Sequence, residues 1–127
     1  MNIERVKHAI DLLRVIAPEQ WDYTAWADDF DASGGTPIAT CGTVACAAGW
    51  MALNHKCNAQ GFILTGDGEP FFGGRTGVVA IADYLDMDWP DVCHVFVDLD
   101  KGNYVTITPA HVADALQALL DKELANV

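Results

Sequence analysis

Apolar residues recur at three- and four-residue steps from the first residues of the chain: Ile3, Val6, Ile10, Leu13 and Ala17 trace one face of a helix. Asn2 is placed to cap this helix and Pro18 to stop it, while Arg5, Lys7, Asp11 and Arg14 lie off the apolar face. Residues 19–31 break the rhythm. They hold Trp21, Tyr23, Trp26 and Phe30 among Asp22, Asp28, Asp29 and Asp31, and a helical turn or two is expected. Ser33-Gly34-Gly35-Thr36-Pro37 is a loop by composition, and from Thr43 the chain becomes small and apolar on every side. That run predicts a central buried helix over about 43–54.

Breakers at Asn54, Asn58 and Gly61 follow, then Phe62-Ile63-Leu64 and Phe71-Phe72 around Gly66-Asp67-Gly68-Glu69-Pro70, which predicts a small β-hairpin. Thr76 is positioned to cap a helix with Val78, Ile81, Ala82 and Leu85 inward. Asp88 is positioned to cap the next, with Pro90 in its first turn and Trp89, Val92, Cys93 and Phe96 toward the core. Thr108-Pro109 opens a last helix carrying Val112, Leu116, Leu119 and Leu120, and Asn103 to Ile107 supply one short strand. The expectation is one mostly helical α+β domain over 1–127, with five to six short helices around the central one. No repeat, low-complexity segment or linker divides it.

At 127 residues the chain suffices for one core, and its 51% hydrophobic and 20% charged content is globular. No apolar run reaches the roughly 18 residues of a membrane span, and Met1-Asn2-Ile3-Glu4-Arg5 does not begin a secretory signal, so a cytoplasmic protein is expected. Eighteen acidic against seven basic side chains give a net charge of −11. Such a charge repels nucleic-acid phosphates and anionic lipid, so neither is an expected partner, and it favours basic protein surfaces. The segment around Trp21, Asp22, Tyr23, Trp26, Asp28, Asp29 and Asp31 then has two readings: rings that cap the core beneath solvated carboxylates, or an acidic aromatic binding lip.

Residues 40–50, Thr-Cys-Gly-Thr-Val-Ala-Cys-Ala-Ala-Gly-Trp, hold the densest candidate chemistry. With a helix beginning near Thr43, Cys41 stands just outside its N-terminus and Cys46 in its first turn, where helix polarity favours a thiolate. Three uses are open to these thiols. They are buried packing atoms; or Cys41, Cys46, His55 and Cys57 bind zinc in a C-x4-C-x8-H-x-C pattern; or Cys41 is a nucleophile with His55, His94 or His111 as its base. Packing is the expectation, with no cofactor. Arg75 and Thr76 offer a separate anion-binding helix start, suited to a small molecule or nucleotide.

Cys41, Gly42, Thr43, Cys46, Ala48, Gly49 and Trp50 resemble the Cys-Gly-Thr-x-x-Cys-x-Ala-Gly-Trp/His pattern of a group of small phage and bacterial proteins without an assigned activity. The lead-in at Trp26 and Phe30-Asp31 and the later Val95-Phe96 and Thr108-Pro109 are similar to the same group. Trp50 stands where relatives carry histidine, which weakens a metal or proton-transfer role there, and Ala47 replaces a bulkier aliphatic. The resemblance implies a mobile-element setting, with the host cytosol as location. The expected function is a non-enzymatic accessory protein that binds a host protein through its acidic surface and inhibits a defence or nucleic-acid-handling complex. A small-molecule or nucleotide sequestering protein and a cysteine-dependent hydrolase or transferase are the alternatives; oligomeric state is left open.

Overall fold

A computed structural model of the chain describes residues 1–34, 37–100 and 106–126. Helix α1 (Ile3–Leu13) begins where expected, the Asn2 side chain accepting from the Arg5 amide at 3.2 Å. Val6, Ala9, Ile10 and Leu13 form its buried face. It ends at Leu13 rather than at Pro18: Pro18 has no N–H for the Arg14 carbonyl and holds Ala17 extended, so the last turn cannot close.

Residues 19–31 share in one helical turn and otherwise run through turns, bends and short β pairings, less helical than expected. One 3-10 turn, Pro18–Gln20, leads into a bridge between Trp21 and Ala45 and then into β1 (Ala27–Asp28), antiparallel to β2 (Val44–Ala45). The Asp22 carboxylate accepts from the Thr24 amide and hydroxyl, and Asp31 binds Ser33 in the same way. Such local side-chain bonds compete with a helix for the backbone.

The central helix also starts later than expected. Val44 and Ala45 are committed sideways to β1, so α2 spans Ala47–Leu53 with Cys46 at its N-cap. Its interior position is as expected: Ala47, Ala48, Gly49, Met51 and Ala52 are all buried. Asn54 ends α2 and also starts α3 (His55–Ala59), its side chain accepting from the Lys56 and Cys57 amides. The same asparagine thus breaks one helix and caps the next.

The hairpin is present as β3 (Ile63–Leu64) and β4 (Pro70–Phe72), and β5 (Arg75–Thr76) adds a third antiparallel strand. Gly73 and Gly74, with φ of 60° and 85°, make the two-residue turn that joins β4 to β5. That pair of positive φ values suits the right-handed twist of a tight hairpin. Helix α4 (Gly77–Leu85) packs on β4 and is followed by α5 (Trp89–Phe96) and α6 (Pro109–Ala125), which lies along α1. Contrary to expectation Trp89 is 56% exposed and Cys93 only half-buried, while Val92 and Phe96 are interior. Of the expected strand 103–107, residues 103–105 lie outside the described residues; Ile107 is buried.

Two aromatic assemblies anchor the core. Tyr84 packs between Phe62, tilted at a centroid separation of 4.7 Å, and Phe72, edge-on at 5.3 Å, and the Arg5 guanidinium lies 4.4 Å above the Tyr84 ring while donating to the Tyr84 carbonyl. On the other side Tyr23 is buried, its hydroxyl donating to Val95 O and accepting from the Leu99 amide. Among the described residues no helix is long and apolar enough to cross a membrane.

Helix α6 opens with a reciprocal cap: Thr108 Oγ1 accepts from the His111 amide, and His111 Nδ1 accepts from the Thr108 amide. Removing the hydroxyl in Thr108→Ala is expected to cost about 1 kcal/mol. A thermal melt should show the midpoint lowered by about 4 °C for a chain of this length.

Candidate functional site

The segment 40–50 closes on the segment 20–31 through almost every polar group it has. The Thr40 and Thr43 hydroxyls both donate to the carbonyl of Asp29, at 2.7 and 2.9 Å. The Thr43 hydroxyl also accepts from the Thr40 amide, which explains how it tolerates full burial. Further along, the Asp22 amide donates to Ala45 O, the Cys46 amide to Ala25 O at 2.8 Å, and Trp50 Nε1 to Gln20 O at 2.8 Å. Asp29 takes a left-handed φ of 58°, which turns its carbonyl toward both threonines. Aspartate adopts that conformation more readily than most residues.

Gly49 is fixed by the same closure. A Cβ built there would fall 1.6 Å from the carbonyl oxygen of Trp26 and 2.8 Å from the Ala45 Cβ. Only a residue without a side chain lets α2 lie this close to the opposing backbone. The motif residues Thr43, Cys46, Gly49 and Trp50 therefore form a clasp, and each contacts backbone of the acidic aromatic segment.

The clasp decides the state of the thiols. Cys46 is buried at the N-cap of α2, its sulfur 4.0 Å from the Trp26 carbonyl, and burial pushes its pKa up to about 11. It is a neutral thiol at ordinary pH. Cys57 is buried on α3, and desolvation raises it as well, against a smaller lowering from its bond with the Tyr84 hydroxyl. Burial likewise raises Tyr84. Cys41 is exposed in the turn before Thr43, and because β2 intervenes it is not at a helix N-terminus as expected.

The alternative zinc set of Cys41, Cys46, His55 and Cys57 does not assemble. Cys41 is on a surface turn, Cys46 and Cys57 are enclosed in separate packing environments, and His55 is exposed; among the described residues no group of three or more His, Cys, Asp and Glu could hold a metal ion. Nor does a hydrogen bond among the described residues join Cys41 to an imidazole. His55 and His94 are exposed, and His111 is engaged in the α6 cap.

The expected binding residues divide. Trp21 is half-buried and donates from Nε1 to Ile107 O, with its ring 6.4 Å from that of Tyr23, so both serve the core. Asp28 and Asp29 are exposed; Asp22 and Asp31 are bound to Thr24 and Ser33, and the Ser33 hydroxyl and amide hold the Asp31 carboxyl below the usual carboxylate range. Arg75 and Thr76 lie exposed on β5, away from those rings in the chain. Arg75 faces the Asp83 carboxylate at 3.8 Å, and Thr76 makes no side-chain cap, so this helix start lacks the arrangement expected for an anion.

Beside the clasp, Tyr23, Thr24, Ala25 and Trp26 form one wall of a cleft of about 250 Å³, with Phe96 and Val97 opposite and Cys46 among its lining residues. The cleft lies where the turn at residues 23–26 meets the end of α5. The sequence assigns Phe96 to a helix and the core and gives Val97 no role, and nothing local to either marks a cleft wall. Its chemistry is that of an apolar receptor: rings, aliphatic carbon and a protonated thiol.

Gly49→Ala is expected to cost about 3 kcal/mol or more, or to prevent folding, because the obstacle is backbone. Gly42→Ala, whose Cβ would meet only the Asp29 Cβ at 3.9 Å, should be nearly neutral. Denaturant unfolding of both variants tests the clasp.

For the thiols, the native state retains protons that the unfolded chain loses above pH 9.0, so stability present below that pH should fall as pH rises toward about 11. Cys57 and Tyr84 act in the same direction. Cys46→Ala should reduce this alkaline loss in denaturant titrations repeated at several pH values, and alkylation of the native protein should label Cys41 while sparing Cys46 and Cys57. No family model, curated protein or solved structure matches the chain.

Proposed function

We propose that this chain is a non-enzymatic accessory protein of the phage or mobile-element type, acting in the host cytosol. It binds a basic surface of a host protein and inhibits a defence or nucleic-acid-handling complex by occupying that surface. The observation that carries the reading is the segregation of charge. Residues 19–31 and 86–100 together contain ten of the eighteen acidic side chains and none of the seven Lys and Arg.

Nearly the whole net charge therefore belongs to two segments, and these two segments meet at Tyr23, through its bonds to Val95 and Leu99. A surface of that kind attracts a basic partner at long range and repels phosphate. Inhibition follows from competition: a protein site that grips nucleic acid is basic, and an acidic protein seated on it excludes the nucleic acid. The mobile-element setting rests on the resemblance at Cys41 to Trp50.

Capture of a host protein from lysate on the immobilised chain tests the reading. The bound partner should be basic and should be released between about 50 mM and about 300 mM NaCl, as screening shortens the range of charge attraction. The triple variant Asp28→Asn, Asp29→Asn, Asp91→Asn removes three exposed carboxylates and should capture markedly less. Retention that ignores both salt and these substitutions would sink the proposal.

A further inference from the structure

The cleft between residues 23–26 and the end of α5 adds an apolar receptor to the acidic surface. We infer that it receives one Phe- or Leu-sized side chain of the partner protein, presented on a segment that carries Lys or Arg on both sides. This rests on the proposed docking to a basic protein and specifies how that docking is anchored.

The size fits a single side chain. The volume is about 250 Å³, whereas an enclosed apolar cavity of roughly 150 Å³ already accepts benzene. The walls are Tyr23, Trp26 and Phe96, and Val97, 44% exposed, stands at the mouth. Aromatic and aliphatic walls around one inserted side chain are the usual form of an interface anchor.

The polar groups of the walls argue against a ligand held by hydrogen bonds. The Tyr23 hydroxyl is engaged with Val95 and Leu99, the Thr24 hydroxyl with Asp22, and the Ala25 carbonyl with the Cys46 amide. Among the described residues no buried side-chain nitrogen or oxygen lacks a partner. The Trp26 indole N–H makes no hydrogen bond among the described residues, so a nucleotide or sugar entering this cleft would find one free side-chain donor there against the hydration it surrenders. An apolar side chain loses nothing of that kind.

Charge fixes what flanks the anchor. Cys46 apart, the lining residues belong to segments 19–31 and 86–100, which carry ten carboxylates and no Lys or Arg, so the cleft lies between the two acidic stretches of the chain. A free hydrophobic molecule would gain nothing from this border. A peptide with basic residues beside its apolar one is complementary to cleft and border together.

Isothermal titration of the full chain with three synthetic peptides at low salt tests the inference: Lys-Lys-Phe-Lys-Lys, Lys-Lys-Gly-Lys-Lys and Glu-Glu-Phe-Glu-Glu, with toluene as a fourth probe. The Phe peptide with lysines should bind at least about tenfold tighter than its Gly counterpart, the factor expected for burying the ring. The acidic peptide and toluene should bind far more weakly. Ala25→Leu fills the cleft while keeping the backbone bond to Cys46, and Val97→Ser removes apolar surface at its exposed mouth. Each should abolish most of the Phe-over-Gly advantage and leave Lys-Lys-Gly-Lys-Lys affinity unchanged; thermal melts verify folding, and Val97→Ser guards against misfolding of the filled variant.

Equal binding of the two lysine peptides, unaltered by either variant, would overturn the anchor and leave the acidic docking surface standing. Failure of both lysine peptides to bind would overturn the docking reading itself. Toluene or the acidic peptide binding as well as Lys-Lys-Phe-Lys-Lys would overturn the peptide occupant in favour of a small apolar ligand.

Discussion

The Trp26 carbonyl occupies the space that any side chain at position 49 would fill. From that contact follows the spacing between α2 and the acidic aromatic segment, and from the spacing follow the other clasp bonds. Cys46 can donate to Ala25, and Trp50 can reach Gln20, only at this separation. The small residues Ala45, Ala47 and Ala48 continue the close approach along the interface. A close Cα–H to carbonyl contact contributes about 0.5–1 kcal/mol in itself. Its larger effect is exclusion, since a side chain at position 49 would collide with the Trp26 carbonyl and move α2 off the segment that the threonines bind at Asp29.

Much of this architecture was legible in the sequence, and the failures have one origin. Helices α1 and α6 were readable because their caps are local, Asn2 and Thr108 each bonding an amide three residues on. The Thr76 and Asp88 side chains make no cap bond, and α4 and α5 were readable instead from their apolar spacing and from Pro90 in the first turn of α5. Segments 19–31 and 43–46 were misread because their conformation is set by each other, across some twenty residues of chain. Val44-Ala45 continues an apolar run that is compatible with a helix; the partner strand at Ala27-Asp28 decides against it. Likewise Trp89 was placed in the core by its spacing from Val92 and Phe96, but at the first position of α5 it extends beyond the packed face. The candidate residues fared in the same way. Tyr23 and Trp26 were identified as rings of interest, whereas their cleft partners Phe96 and Val97 come from the far end of the chain and leave no local signature.

The motif at residues 40–50 illustrates how a chemically suggestive pattern serves a mechanical end. Two cysteines and a glycine at a helix start invite a thiolate or a metal. The structure instead spends the threonine hydroxyls, the Cys46 amide, the missing Cβ of Gly49 and the Trp50 indole on holding one neighbouring segment. Burial then makes the Cys46 thiol harder to ionise, not easier. Trp50 fits the same use, because an indole N–H needs only a carbonyl, and Gln20 supplies it.

The distribution of charge is what packing leaves unexplained. A domain that needs negative charge only for solubility gains as much from carboxylates spread over its surface, with less mutual repulsion. Here the carboxylates crowd onto two segments that touch, and the surrounding structure contains the repulsion: Asp22 and Asp31 are held by Thr24 and Ser33, and the clasp fastens the whole 20–31 segment to the buried α2. The segment that carries half of this charge is thereby tied to the core through Gln20, Asp22, Ala25 and Asp29. Such rigidity is unnecessary for a solvated acidic loop, but a binding surface benefits from it because little order is lost when a partner arrives. The clasp thus connects the two features that sequence alone kept apart, holding an acidic border and an apolar cleft in one fixed relation.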